Sequence, residues 1–148
     1  MSLADWRRNS WLVAHEPSAG ETAALLAIVA RDLANATVAG LSPDWQLGIA
    51  YNAALQAATA ALAATGHRAA REQHHYRTIQ SLAFSIGWPA ARIARFDRFR
   101  KKRNIGGYEA AGAVSLTEAR EMHALAAALR DDVVAWLRKH HPQLLVKR

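Results

Sequence analysis

Apolar residues recur along this chain three and four positions apart, the spacing of a helix face, and no β-branched alternation competes with it. After a short N-terminal turn over residues 3–14, Leu25, Ile28, Val29 and Leu33 mark the inner face of a helix over 21–38. Ser42-Pro43-Asp44 opens the next, with Ser42 as N-cap and Pro43 in the first turn, and Gly66 closes it after Thr65. Alanine dominates that helix, so neighbours approach it closely on several sides. A fourth element runs from about 75 to 86 and stops at Gly87, and a fifth starts at Pro89 and ends before Gly106-Gly107. In the last, Ser115-Leu116-Thr117-Glu118 is a capping box, followed by the stripe Met122, Leu125, Ala126, Leu129, Val133, Trp136 and Leu137 up to Pro142. Five helices with short connections predict an all-α fold, an antiparallel helical bundle forming a single domain over 1–148.

Composition narrows the function classes. The 148 residues are 51% apolar and 21% charged, and they include no cysteine, which excludes disulfides, thiolate metal sites and thiol nucleophiles. Asp5, Arg7 and Arg8 interrupt the N-terminus before any signal-peptide core develops, and the apolar run 53–64 is too short to cross a bilayer. The expectation is a soluble cytoplasmic protein with no membrane association. The formal charge of +7 is unevenly spread. Residues 67–103 carry ten basic and two acidic groups, against three and five in 1–66 and six and five in 104–148. A local basic surface of this kind attracts phosphate or an acidic partner.

The basic excess peaks in PAARIARFDRFRKKRNIGGYEAAGA, residues 89–113. At about 100° per residue, Arg95, Arg98, Lys101 and Lys102 form one stripe, while Arg100 and Arg103 fall on the apolar arc with Phe96 and Phe99. An arginine there keeps its charge and needs a carboxylate, a phosphate or a wet cleft. A structural salt bridge to Asp131 or Asp132 answers the first need. Asn104 is a neutral donor and acceptor beside Arg103, and the Gly106-Gly107 break turns Tyr108 back toward the arginine. Elsewhere, His75 precedes Ile79, Leu82 and Ile86 on the core-facing side of its helix. It reads as a hydrogen-bonded core residue or as an imidazole lent to the arginine site. Asn52, on an arc with Ile49 and Leu55, either orients Arg103 or bridges two helices. His15 and Glu16 have no evident partner. No metal-ligand spacing and no phosphate-cradling glycine loop are present, so neither a metal nor another cofactor is expected.

Arg100-Lys101-Lys102-Arg103-Asn104-Ile105-Gly106-Gly107-Tyr108-Glu109 resembles the HEPN superfamily (higher eukaryotes and prokaryotes nucleotide-binding domain). The resemblance extends to Tyr51-Asn52-Ala53-Ala54-Leu55, to His74-His75-Tyr76-Arg77-Thr78-Ile79 and to Ser115-Leu116-Thr117-Glu118-Ala119, covering about residues 42–140. It implies a four- to five-helix bundle, commonly a homodimer, in a family with many metal-independent ribonucleases, some of them toxins paired with an antitoxin protein. The family's motif is an arginine, a polar residue and, a few positions on, a histidine. Arg103 and Asn104 match its first half, whereas Tyr108 stands where the histidine belongs and the next histidine is His123. The resemblance therefore implies binding of RNA or a nucleotide through Arg103, Asn104 and the basic residues Arg95, Arg98, Arg100, Lys101 and Lys102, with a degenerate catalytic motif. Two alternatives stand beside it. One is an active ribonuclease in which Tyr108 or His75 moves the proton. The other is an interaction module whose basic stripe docks an acidic protein. Homodimerisation also follows if Phe96 or Phe99 leaves apolar surface to cover.

Overall fold

The computed structural model describes residues 1–108 and 113–146, with only the backbone described within 104–108. Six helices are α1 (Leu3–Arg8), α2 (Ala19–Asn35), α3 (Pro43–Ala64), α4 (His74–Gln80), α5 (Ala90–Tyr108) and α6 (Leu116–His140). The fold is an all-α helical bundle. Strands β1 (Leu12–Ala14) and β2 (His67–Ala69) add a two-stranded antiparallel sheet with Leu12 opposite Ala69 and Ala14 opposite His67.

The alanine-rich helix α3 is the axis, packed against both α2 and α6. Ala50, Ala53, Ala54, Ala57, Ala58 and Ala61 are all fully buried, because a methyl side chain is what lets flanking helices close in on several sides. By length and a mean hydropathy of 1.3 this helix passes for a membrane span, contrary to the expectation from its 53–64 run. Yet 72% of that window is buried inside the bundle, the mark of a core helix. Thr65 caps it, and Gly66, at φ +89°, then makes the turn into β2 that a side chain would strain.

Ser42 and Ser115 cap α3 and α6 as the sequence indicates, the second in a full capping box with Glu118. Ser115→Ala removes one of the two reciprocal bonds and costs about 1 kcal/mol. A thermal melt of that variant shifts down by roughly 2–4 °C. The stripe on α6 is also as read: Met122, Leu125, Ala126, Leu129, Val133 and Leu137 are buried, with Trp136 half-buried at its edge.

Three local expectations fail. The N-terminal turn is a short helix followed by a strand, since β1 finds a partner 55 residues away that local pattern does not reveal. The fourth helix ends at Gln80 and tightens into a 3₁₀ turn over Ser81–Ala83. Finally, α5 runs through Gly106-Gly107 to Tyr108, because glycine weakens a helix by about 1 kcal/mol without forbidding it. Phe96 and Phe99 are 0% and 6% exposed, so they leave no apolar face for a second chain, and that argument for a dimer lapses.

Candidate anion-binding site

Helices α3, α4 and α5 bring Tyr51, His75, Arg100 and Arg103 together. Tyr51 comes from the buried face of α3, and the edge of its ring meets Phe96 at 5.7 Å between centroids. Its hydroxyl lies 3.3 Å from Nδ1 of half-buried His75 on α4. The Arg103 guanidinium sits 5.1 Å from the Tyr51 ring centroid, a cation–π contact that holds the charge where α5 meets solvent. Arg103 is exposed rather than packed, so the side chain extends beyond the apolar arc that carries it.

Arg100 is half-buried and donates from Nε to Oδ1 of Asp97 at 2.7 Å, one turn back on its own helix. Its salt bridge is therefore local. Asp132 instead accepts from the Trp88 indole at 2.9 Å and pairs with Arg92, and Asp131 pairs with its neighbour Arg130. The Arg100 terminal nitrogens meet no protein acceptor among the described residues. The guanidinium also lies 5.5 Å from the ring of Tyr76. Arg103 has no carboxylate partner at all among the described residues. Two guanidinium groups whose terminal donors meet no acceptor among the described residues, beside an imidazole, can together hold a phosphate-like anion.

Protonation follows from these neighbours. Burial pushes the Tyr51 phenol up to about 12, against the opposing pull of Arg103 and Arg100, so it stays neutral. His75 is held below its ordinary 6.5, first by burial and then by Arg103, His74 and Arg100. It is a neutral imidazole at pH 7, able to accept a proton. Because the folded value lies below the unfolded one, the unfolded chain takes up the proton first as pH falls through the histidine range. Stability contributed by this group is thus full above the ordinary value and is lost on acidification. A proton NMR titration of His75 should give a midpoint below 6.5. Arg103→Gln should move it part of the way back up, since burial, the larger cause, remains. No movement would separate the two residues.

The exposed stripe is less free than its sequence suggests. Arg95 pairs with Glu121 and Lys102 with Glu118, both on α6, while Lys101 shares Asp97 with Arg100. Arg98 alone of the four has no ion pair among the described residues. Asn52 donates to the buried carboxylate of Asp32 at 2.8 Å and accepts from Gln56, so it bridges α2 and α3 rather than orienting Arg103. His123 is tied to the Leu33 carbonyl at 2.9 Å, and His15 pairs with Glu21, a partner that the sequence reading missed. The side chains of Asn104 and Tyr108 lie outside the described residues.

Tyr51 is a site residue that the sequence reading named only within the resemblance segment Tyr51-Asn52-Ala53-Ala54-Leu55, with no role at the site. Its spacing with Leu47 and Leu55 signals burial, and only tertiary packing sets it between His75 and Arg103. Among the described residues no cluster of three histidine or acidic side chains could hold a metal ion. Compared with known proteins, the chain matches no family model, no curated protein and no solved structure.

Proposed function

We propose that this chain is a HEPN-like protein that binds RNA or a nucleotide by holding a phosphate between Arg103 and Arg100. The observation that carries the reading is the Arg103 guanidinium, set over Tyr51 beside neutral His75 with no carboxylate partner among the described residues. Sequence-independent phosphate contacts fall chiefly to Arg98 and Arg103, and to the terminal nitrogens of Arg100, which pairs with Asp97 through Nε alone. The ammonium or guanidinium groups of Arg95, Lys101 and Lys102 already face carboxylates. Binding of a labelled single-stranded RNA, followed by anisotropy, should weaken as salt rises, with a log–log slope of about −2 for three such contacts. Reversing Arg98 should weaken binding more than reversing any one of the other three stripe residues. An RNA affinity absent at low salt, or unchanged when all four are reversed, would end this reading.

A second reading is favoured by one specific observation. His75 reaches the arginine site from another helix and offers the imidazole that Tyr108 does not supply. In metal-independent cleavage, His75 would accept the 2′-hydroxyl proton as that oxygen attacks phosphorus and the bond to the 5′-oxygen breaks. The departing oxygen takes a proton, and a 2′,3′-cyclic phosphate and a 5′-hydroxyl result. Arg103 and Arg100 would stabilise the charge on the phosphorane. Incubation of RNA with a chelator present tests this reading: His75→Gln should abolish cleavage, and Tyr108→His should raise it if that position is equivalent to the family's. Inert wild type with active Tyr108→His marks a degenerate enzyme.

The homodimer and an antitoxin-type protein partner belong to the same proposal and rest on the resemblance. Light scattering at micromolar concentration and a pull-down against proteins encoded beside this one test them. Capture of an acidic protein in place of RNA would favour the interaction-module alternative.

A further inference from the structure

Next to the arginine site lies a group of aromatic rings that phosphate binding does not use. The guanidinium of Arg77 stacks 3.6 Å from the Trp11 ring centroid, with Trp6 at 5.7 Å and Tyr76 at 5.8 Å. Trp6 meets Trp11 edge-on at 5.9 Å, and Phe84, which is partly exposed, meets Trp6 edge-on at 5.2 Å. The backbone holds Trp11 firmly: its N–H donates to the Trp6 carbonyl at 2.9 Å, and its carbonyl accepts from Ala70 at 2.9 Å. Arg77 itself makes no ion pair and no side-chain hydrogen bond among the described residues, although it is half-buried and always charged. An arginine this close to an indole, with no carboxylate or hydrogen-bond acceptor on its donors among the described residues, offers a planar cationic group to a ligand.

Tyr76 connects this platform to the arginine site, because its ring centroid lies 5.8 Å from the Arg77 guanidinium and 5.5 Å from that of Arg100. Planar arginine and aromatic faces are what unpaired bases stack on, whereas bases in a duplex are already stacked and withheld. A phosphate held at Arg100 and Arg103 would place its own or the adjacent base beside Tyr76 and Arg77.

We infer that the phosphate site continues into a base-stacking subsite built from Arg77, Trp11 and Tyr76, and that the ligand is therefore single-stranded RNA. This rests on the phosphate-binding reading above. Arg77→Lys keeps the charge and removes the planar face, and circular dichroism establishes that the variant is folded. The probes are a short oligouridylate and an abasic ribose-phosphate chain of equal length. Wild type should prefer the base-bearing strand by roughly tenfold. Arg77→Lys should abolish that preference while leaving the abasic affinity in place. Wild-type tryptophan fluorescence should be quenched on binding the base-bearing strand, and Trp11→Phe should remove that quenching. Equal affinity of wild type for both strands, or an equal loss on both in Arg77→Lys, overturns the subsite and leaves the phosphate site standing. No binding of either strand at low salt overturns both.

Discussion

Arg103→Ala should lower RNA affinity by roughly 10- to 100-fold, the range for losing a charge-assisted hydrogen bond, and leave thermal unfolding nearly unchanged. The two halves of this expectation have one cause. Arg103 is exposed and makes no ion pair among the described residues, so the folded protein loses only a cation–π contact with Tyr51. A surface contact of that kind contributes about 0.5–1 kcal/mol. The ligand, by contrast, loses the guanidinium best placed to reach it, and Arg100 remains partly committed to Asp97. If the site also cleaves RNA, the same change should slow cleavage by about 10²–10³. Titration of labelled RNA against both proteins, with melts run in parallel, measures the two effects. Unchanged affinity removes Arg103 from the site, and a large drop in melting temperature makes it a structural residue.

Phe96→Ala should have the opposite profile, destabilising the fold by about 3–5 kcal/mol through the cavity it leaves. Phe96 is completely buried where α5 meets α3, and its ring packs edge-to-face on Tyr51 at 5.7 Å and 77°. Against a total stability of about 5–15 kcal/mol that is a large share, and it corresponds to a fall in melting temperature of roughly 10 °C. Because Tyr51 orients toward both His75 and Arg103, whatever variant remains folded should also bind RNA less well. Denaturant titration gives the first effect and affinity at a temperature well below the melt gives the second. A loss of less than 1 kcal/mol would mean that Phe96 is not the wedge between these helices.

Helix positions, caps and the core stripe of α6 were legible in the chain because they are local. Ser115 with Glu118, Ser42 with Pro43, and apolar residues three and four apart each act within a few turns of one helix. The basic segment and the separation of Arg100 and Arg103 from the stripe were legible for the same reason. Some of what stayed hidden was also local, the ends of α4 and α5 and the pairing of Arg100 with Asp97 one turn back, but the rest depended on groups far apart in sequence. Nothing near Leu12 announces β2, and nothing near Arg95 or Lys102 announces Glu121 or Glu118 on α6. The site itself was split in the same way. Its arginines were marked by sequence, but Tyr51 entered only as part of a resemblance segment and Arg77 as one of ten basic residues in its region. Periodicity assigns a residue to a face and says nothing of which other face it meets. Only the packing of α3, α4 and α5 set Tyr51 between an imidazole and a guanidinium, and only the pairing of β1 with β2 fixed Trp11 where Arg77 stacks on it.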